Sequence, residues 1–200
     1  MLVSGLRDEL RARPGPDTLW LWHAAYPRPL PSIVSLAAEE SAVEPAQVYA
    51  TMRQESGYAP HVVSGAGATG LMQIMPQGSA ALAKRLGIEV GPRMLQDPST
   101  NIRLGIAEIA SARKAFGGNL PLSIAAYNAG VAQVRRWLGE TGEVDLDLFI
   151  ERIPYDETRN YVRRVVSHYA RYRYLEDGGG DGWPVDLPDR VGPDPRPASE

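Results

Sequence analysis

The chain has 200 residues, 44% of them hydrophobic and 22% charged, which is ordinary for one globular domain with its own core. A net charge of −3 gives no support to nucleic-acid binding, and the absence of cysteine excludes disulfides and thiolate sites. No stretch approaches the roughly 20 apolar residues that span a bilayer, and the charged N-terminus does not resemble a signal peptide.

Proline and glycine divide the sequence into a succession of predicted helices. Residues 1–25 are expected to form a short helical extension broken by Pro-Gly-Pro at 14–16, and a proline-rich extended connector follows at 26–31. The remaining predicted helices cover 32–42, 45–56, 76–86, 98–116, 121–127 and 131–138, and a last long one is capped by Asp156. The prediction is a mainly α fold.

Two segments depart from this helical pattern. The Gly/Ala-rich stretch before Pro76 has flexible glycines followed by a Leu-Met-Gln-Ile-Met run, which predicts a small β element near 62–75. Beyond Asp177 the sequence is rich in glycine, proline and aspartate, so it buries too little apolar surface to order itself. We therefore expect a flexible tail at 177–200.

Glu55 lies near the end of one of the clearest predicted helices. Pro45 suits the first helical position, and Gly57 suits the left-handed stop after the last one. Val48, Met52 and Glu55 fall at i, i+4 and i+7, so the carboxylate takes a core-facing position. Burial disfavours the charged form and raises the carboxyl pKa, as a general acid at neutral pH requires. Taken alone, such a glutamate is more often a paired structural residue.

Other patterns that carry chemistry are weak in this sequence. Residues 65–70 formally match a dinucleotide-binding G-x-G-x-x-G, but Pro76 ends any helix there after one turn and no βαβ alternation surrounds it. His23, His61 and His168 are scattered, and none has a second ligand at metal-binding spacing. No G-x-S-x-G nucleophile elbow is present. The sequence therefore predicts no cofactor and no metal.

Four short motifs follow one another in a fixed order: Glu-Ser at 55–56, Gly-Leu-Met-Gln-Ile-Met-Pro at 70–76, Ala-Tyr-Asn-Ala-Gly at 126–130 and Glu-Thr-Arg-Asn-Tyr-Val at 157–162. In this order they resemble the catalytic domain of the soluble lytic transglycosylases, the SLT domain, in the goose-type branch of the lysozyme-like enzymes. The resemblance implies an α+β lysozyme-like fold, with a helical bilobal catalytic domain over residues 26–176.

The resemblance also implies site residues, position by position. Glu55 matches the catalytic acid, and Tyr127 matches a cleft tyrosine close enough to hydrogen-bond it. The positions that match substrate-binding residues are Ser64, Gln73, Met75, Tyr127 and Glu157. Two of these have simpler explanations from the residues themselves, because Met75 suits core filling and Glu157 suits the first turn of a helix, where the dipole favours an acid.

The implied activity is that of a peptidoglycan lytic transglycosylase, which cleaves the β-1,4 bond between N-acetylmuramic acid and N-acetylglucosamine without water and leaves a 1,6-anhydromuramyl end. Glycosidases usually need two carboxylates, whereas this sequence offers one convincing acid, which fits a reaction in which Glu55 serves as acid and then as base. Two alternatives stay open: a lysozyme-type hydrolase of the same glycan, and an inactive peptidoglycan-binding module.

The expected partners are peptidoglycan glycan strands, with no nucleic acid and no membrane span. Such an activity belongs in the cell envelope, in the periplasm. Since no export signal is recognisable before the predicted domain, we expect the chain to be a fragment that lacks its natural N-terminus.

Overall fold

Helices dominate the computed structural model, which describes residues 10, 14–15, 17–88, 93–177 and 185–193. The described α-helices are α1 (Leu19–Ala25), α2 (Pro31–Glu40), α3 (Pro45–Ser56), α4 (Pro76–Arg85), α5 (Pro98–Ala115), α6 (Leu120–Ala129), α7 (Val131–Thr141), α8 (Leu146–Glu151) and α9 (Asp156–Glu176). A short 3-10 helix at Met94–Gln96 precedes α5, and two strands, β1 (Val144–Asp145) and β2 (Arg190–Val191), pair antiparallel. The predicted mainly α fold is confirmed.

Most helix ends lie where the sequence signals placed them. Helix α3 begins at Pro45 and ends before Gly57, which takes the left-handed conformation at φ 56°. Asp97 caps α5 by accepting a hydrogen bond from the backbone N–H of Thr100 at 2.8 Å. The predicted cap of the last helix was wrong, since the backbone is already helical at Asp156 and the last extended residue precedes it. Helix α8 was not predicted.

The small β element predicted near 62–75 consists of two isolated antiparallel bridges, Val63 to Thr69 and Thr69 to Ile74. These bridges do not extend into regular strands, because Gly67 and Gly70 turn the chain with φ values of 89° and 80°. The segment 69–75, called here the motif loop, is therefore a tightly folded loop.

Part of the predicted flexible tail packs against the domain. Strand β2 pairs with β1, the backbone N–H of Leu146 donates to the Asp189 carbonyl at 2.8 Å, and Val191 is buried. Arg190 adds ion pairs to the side chains of Glu143 and Asp145. The expectation of an unpacked tail is thus wrong for 185–193, because pairing with a distant segment supplies the burial that its own composition lacks. The tail at 178–184 and 194–200, and the helix predicted before residue 14, lie outside the described residues.

Two helices set the frame for the interior. Helix α6 is buried along residues 120–126, as expected of a helix that is apolar on nearly every side, and it packs against α5, α7 and α9. Helix α3 packs against α2, α5 and α9 and buries every residue from 46 to 52. The C-terminal ends of both helices therefore project functional side chains from within the packed core.

Candidate active site

Glu55 lies in the last turn of α3, next to a serine that ties the helix end to the motif loop. The Ser56 hydroxyl lies 2.8 Å from the Leu71 carbonyl and 3.2 Å from the Met52 carbonyl, and it accepts a hydrogen bond from the backbone N–H of Tyr58 at 3.1 Å. These contacts fix the direction in which the neighbouring Glu55 side chain leaves the helix.

The motif loop is held from its other side by Asn101 of α5, whose side chain is buried. Its amide donates to the carbonyls of Thr69 and Leu95, both at 2.8 Å, and its oxygen accepts from the backbone N–H of Met72 at 2.7 Å. Gly70 makes this approach possible, because a Cβ there would lie 2.5 Å from the Asn101 side-chain nitrogen. The glycine therefore allows close approach of the loop to α5.

Asn101 is the first of three residues spaced along one face of α5, and the first two of them contact the motif loop. Gly105, at i+4, packs so closely that an added Cβ would lie 2.6 Å from the Cβ and Cγ atoms of Met72. Glu108, at i+7, follows one turn later on the same face. Asn101, Gly105 and Glu108 are called here the α5 stripe.

The hydroxyl that reaches Glu55 belongs to Tyr161, not to Tyr127. Tyr161, on α9, is only 4% exposed and donates a hydrogen bond to Oε1 of Glu55 at 2.5 Å. Tyr127, at the end of α6, donates instead to the carbonyl of Met72 at 2.8 Å. The expected hydrogen bond from Tyr127 to the acid is therefore wrong, because the loop carbonyl takes its proton. Burial raises the pKa of the Tyr127 hydroxyl well above its ordinary value, and the negative charges of Glu108 and Glu55 raise it further.

Burial makes Glu55 a weak acid. Desolvation raises the pKa of its carboxyl to about 7, with further upward contributions from the negative charges of Glu108 and Glu157 and a downward one from the Tyr161 hydrogen bond. A carboxyl with this pKa is substantially protonated at neutral pH and can also hold the charge once it has lost its proton. Glu55 therefore suits a group that first gives a proton and then takes one.

Glu108 is a second acid of this site that the sequence analysis missed. Burial raises the pKa of its carboxyl to about 7, and its charge acts on both Glu55 and Tyr127. Its signal in the sequence was of the kind that singled out Glu55: a lone glutamate in the run Leu-Gly-Ile-Ala-Glu-Ile-Ala at 104–110. The predicted scarcity of carboxylates near Glu55 is therefore wrong.

The other predicted site residues on and beside the motif loop lie near the protein surface. Gln73, at φ 49°, donates its side-chain amide to the carbonyls of Val62 and Gly70 at 3.2 and 2.9 Å. The half-buried Ser64 hydroxyl accepts from the backbone N–H of Ala68 at 3.0 Å. Met75 is 42% exposed at the start of α4, so it does not fill the core. The structure thus leaves the Met75 side chain open to solvent.

Glu157 and its neighbours connect α9 to the site. Glu157 is exposed in the first turn of α9, and its charge raises the pKa of Glu55. The next residue, Thr158, donates from its hydroxyl to the side-chain oxygen of Asn128 at 2.6 Å, which joins α6 to α9. Arg159 forms an ion pair with Asp156.

Within the part of the chain that the structure describes, no group of three or more His, Asp or Glu side chains is arranged to hold a metal ion. Of the helices assigned there, none combines the length and the apolar character needed to cross a membrane.

The model of the Transglycosylase SLT domain family matches residues 32–150, more than half of the chain. The chain belongs to this family. Over 129 residues it is 45% identical to the soluble lytic murein transglycosylase of Escherichia coli K12 and 43% identical to that of Salmonella typhimurium. Each alignment covers 63% of the chain and 20% of the relative, so the chain spans about a fifth of the length of these curated relatives.

Solved structures of SLT proteins share the fold. The 70 kDa soluble lytic transglycosylase of Escherichia coli is 37% identical, with a TM-score of 0.74 over 78% of this chain and 26% of that one. A complex of the 70 kDa enzyme with bulgecin A has a TM-score of 0.77 at 36% identity, covering 82% and 27% of the two chains. An inactive glutamate-to-glutamine mutant of Slt from Pseudomonas aeruginosa has a TM-score of 0.74 at 34% identity, covering 90% of this chain and 29% of that one. The lysozyme-like fold is confirmed.

Proposed function

We propose that this chain is a peptidoglycan lytic transglycosylase that cleaves the β-1,4 bond between N-acetylmuramic acid and N-acetylglucosamine and leaves a 1,6-anhydromuramyl end. One observation carries the proposal: a half-buried carboxyl with a pKa of about 7, Glu55, is held at a helix end by a hydroxyl donor. Membership of the SLT family supports the same chemistry.

In the first step the protonated Glu55 gives its proton to the oxygen between the two sugars. The 2-acetamido group of the muramyl unit stabilises the anomeric carbon as the bond to the leaving oxygen breaks. Glu55 is then a carboxylate, and the Tyr161 hydroxyl stabilises that charge through its hydrogen bond.

In the second step the Glu55 carboxylate takes the proton of the muramyl C6 hydroxyl, and the C6 oxygen bonds to the anomeric carbon. The ring closes, no water is consumed, and Glu55 ends protonated as it began. One residue thus serves as general acid and as general base, which requires a pKa close to the working pH.

Substrate contacts are assigned to the positions that match substrate-binding residues in the SLT resemblance. The side-chain oxygen of Gln73 accepts no hydrogen bond from the described residues, so it is available for a sugar hydroxyl or amide. Met75 presents an exposed apolar surface, and Glu157 places an exposed carboxylate beside α9. Ser64 offers its hydroxyl proton, and the Tyr127 ring lines the wall next to the acid.

The site of action that follows is the cell envelope, in the periplasm. The relatives carry the names soluble lytic murein transglycosylase and membrane-bound lytic murein transglycosylase C, which are consistent with work on the cell wall.

The test is the nearly isosteric change Glu55→Gln, which removes the proton donor. We expect lysis of purified sacculi, followed by turbidity, to fall by about a thousandfold or more, the scale expected for loss of an essential acid–base group. Glu39→Gln, on the exposed side of α2, is the control with the same change in net charge. Equal rates for Glu55→Gln and wild type would reject Glu55 as the acid.

A second candidate is hydrolysis of the same bond, and the buried Glu108 favours it. Hydrolytic glycosidases use two carboxylates, one of which activates water or forms a covalent intermediate. Mass spectrometry of the released muropeptides separates the two activities, because an anhydro end is lighter by one water than a reducing end. Products with reducing ends that carry labelled solvent oxygen would replace the first proposal with the second.

A further inference from the structure

The turn that follows Glu55 is held in an unfavourable backbone conformation. Gly57 and Tyr58 both adopt the left-handed region, with φ values of 56° and 69°. Glycine takes this conformation freely, whereas a residue with a Cβ is strained there and stays only where the surrounding structure fixes it. Tyr58 therefore needs contacts that hold it. Its backbone N–H makes one, because it donates at 3.1 Å to the hydroxyl of Ser56, the residue next to the acid.

The Tyr58 hydroxyl makes further contacts through a directed series of hydrogen bonds. The Tyr172 hydroxyl, on α9, donates its proton to the Pro27 carbonyl at 2.9 Å, so its oxygen accepts the proton of Tyr58. The Tyr58 oxygen in turn accepts from the Arg53 guanidinium at 3.4 Å. Arg53, Tyr58, Tyr172 and the Pro27 carbonyl are called here the hydroxyl chain. Because each hydrogen bond polarises the next, such a series holds its members more firmly than separate bonds would.

The hydroxyl chain is anchored at both ends. Arg53 lies in the last turn of α3, two residues before Glu55. Its guanidinium also donates to the Ala25 carbonyl and lies over the Tyr26 ring, 4.3 Å from the ring centroid. At the other end the Tyr172 ring meets the Tyr26 ring edge-on, with 5.4 Å between the centroids. The end of α1 and the connector that follows it are thereby joined to α3 and α9.

Core packing explains the aromatic rings of this region but not their hydroxyls. Phenylalanine would fill the same space, and a buried hydroxyl must find partners to offset its desolvation. The partners found here lead from the connector to the turn after the acid. Tyr169 differs, since its hydroxyl, three residues earlier on α9, donates to Glu44 at the opposite end of α3. Neither the connector nor α9 falls within residues 32–150, so the match to the family model assigns them no role.

We propose that the hydroxyl chain positions Glu55 for proton transfer by holding the turn at residues 56–58. The path is short, since the Tyr58 backbone binds the Ser56 hydroxyl, and Ser56 both adjoins Glu55 and contacts the motif loop. Displacing a catalytic group by about 1 Å can slow a reaction by about a hundredfold. Tyr58 and Tyr172 are positioning residues that touch no reacting atom. This inference rests on the proposed function of Glu55 as general acid.

Removing single hydroxyls from the full chain tests the proposal and leaves every ring in place. Tyr58→Phe and Tyr172→Phe each break the hydroxyl chain, and the double variant should be no worse than the more affected single one, because the hydroxyls act as a unit. We expect kcat on solubilised glycan strands to fall by about tenfold and KM to stay within about twofold of wild type, since the acid moves and the sugar contacts do not. Tyr169→Phe is the matched control, because it loses a buried hydroxyl bond of the same helix and should keep its kcat.

Native-state hydrogen exchange followed by NMR measures the opening of the turn without substrate. The backbone amides of residues 57–59 each donate a hydrogen bond of 3.1 Å at the end of α3. Relative to the amides of the buried helix α6, they should exchange about tenfold faster in Tyr58→Phe and Tyr172→Phe and remain unchanged in Tyr169→Phe. The ratio to α6 separates a local opening from a general loss of stability. Exchange needs no activity, so failure of the proposed function does not hide failure of the hydroxyl chain.

Faster exchange at 57–59 together with a lower kcat, in both chain variants but not in Tyr169→Phe, supports the proposal. Unchanged exchange at 57–59 overturns it, whether or not the protein lyses sacculi. Faster exchange with an unchanged kcat in an active protein overturns the role in the reaction. An equal loss of kcat in Tyr169→Phe, or a rise in KM at constant kcat, also overturns it, because the hydroxyls would then support the fold or the sugar contacts instead of the acid.

Discussion

Helices α3 and α5 each carry a half-buried carboxyl at the same place in a helical stripe, but they hold it differently. The stripe of α3, formed by Val48, Met52 and Glu55, is apolar up to its acid, whereas the α5 stripe begins with an amide and a glycine. Glu55 receives the hydroxyl of Tyr161, and Glu108 receives no hydrogen bond from the described residues. Both stripes border the motif loop, which Ser56 ties from one side and Asn101 from the other.

The difference shows what a single hydroxyl contributes. Glu108 reaches a pKa of about 7 through burial alone. Glu55 reaches a similar pKa although two further negative charges act on it, because the Tyr161 hydrogen bond favours its ionised form. Tyr161 therefore lets a carboxyl in negative surroundings remain able to lose its proton, and Glu108 has no such hydrogen bond from the described residues.

The largest expected effect on stability comes from removing the hydrogen bonds that join α5 to the motif loop. Asn101→Ala removes three buried hydrogen bonds and leaves the backbone groups that they bind without partners. The free energy of unfolding should therefore fall by about 3 to 5 kcal/mol. Urea unfolding measures this loss. Arg103→Ala, at an exposed position of the same helix, is the control and should change stability by less than about 0.5 kcal/mol. Comparable values for the two variants would mean that Asn101 does not hold the loop.

Removing the Tyr161 hydroxyl, which binds the carboxyl of Glu55 on α3, tests the acid itself. Tyr161→Phe should lower the rate of sacculus lysis by about ten- to a hundredfold and raise the pKa of Glu55, because the bond that favours the carboxylate is lost. Tyr127→Phe loses only its bond to the Met72 carbonyl and should cost about threefold. The pH profile of kcat/KM for both variants is the measurement, and a larger effect of Tyr127→Phe would reverse the assignment.

The two acids should also weaken the fold as they ionise. Each has a pKa of about 7 in the folded state against an ordinary value of 4.5, so the unfolded chain loses these protons first as pH rises. Stability is therefore full below about pH 4.5 and declines until about pH 7. Glu108→Gln removes one such penalty and should be more stable than wild type by about 1 to 3 kcal/mol at pH 8.

Urea unfolding at about pH 4 provides the internal control for that variant, because both proteins then carry no charge at residue 108 and should unfold alike. A Glu108→Gln protein that is less stable than wild type at pH 8 would show that Glu108 contributes favourable contacts instead.

The smallest expected effect concerns the tie from α3 to the motif loop. Ser56→Ala removes the hydroxyl contacts to Leu71 and Met52 and should cost about 1 kcal/mol in urea unfolding, less than Asn101→Ala because Ser56 is less buried. Ser56→Thr keeps the hydroxyl and serves as the matched variant. If Ser56→Ala destabilised the fold as much as Asn101→Ala, the loop would be held equally from both sides.

The sequence was sufficient for the local features of the site. The ends of α3 follow from Pro45 and Gly57, and the position of Glu55 follows from the helical repeat. Glu108 lies at the same helical spacing but was missed, because the residues before it on that face, Asn101 and Gly105, do not form an apolar pattern. Their burial comes from the motif loop, some 30 residues away in the chain.

The hydroxyl partners could not be predicted from spacing. Tyr161 is buried on α9, as are Val165 and Tyr169 four and eight residues later. Its bond to Glu55 depends on how α9 crosses α3, which is a long-range property of the packing. For the same reason Tyr127 could be placed near the acid but its acceptor could not be chosen, since the Met72 carbonyl competes for the same proton.

The β1–β2 pairing has a practical consequence for shortening the protein. A truncation at the end of α9 would appear harmless from composition, yet it would remove β2 and leave β1 as an open edge with the Leu146 amide unmatched. Open strand edges invite association with other chains. Glu143 and Asp145 would also lose the guanidinium of Arg190. A minimal soluble version should therefore extend through residue 193, and fusion partners belong after that residue.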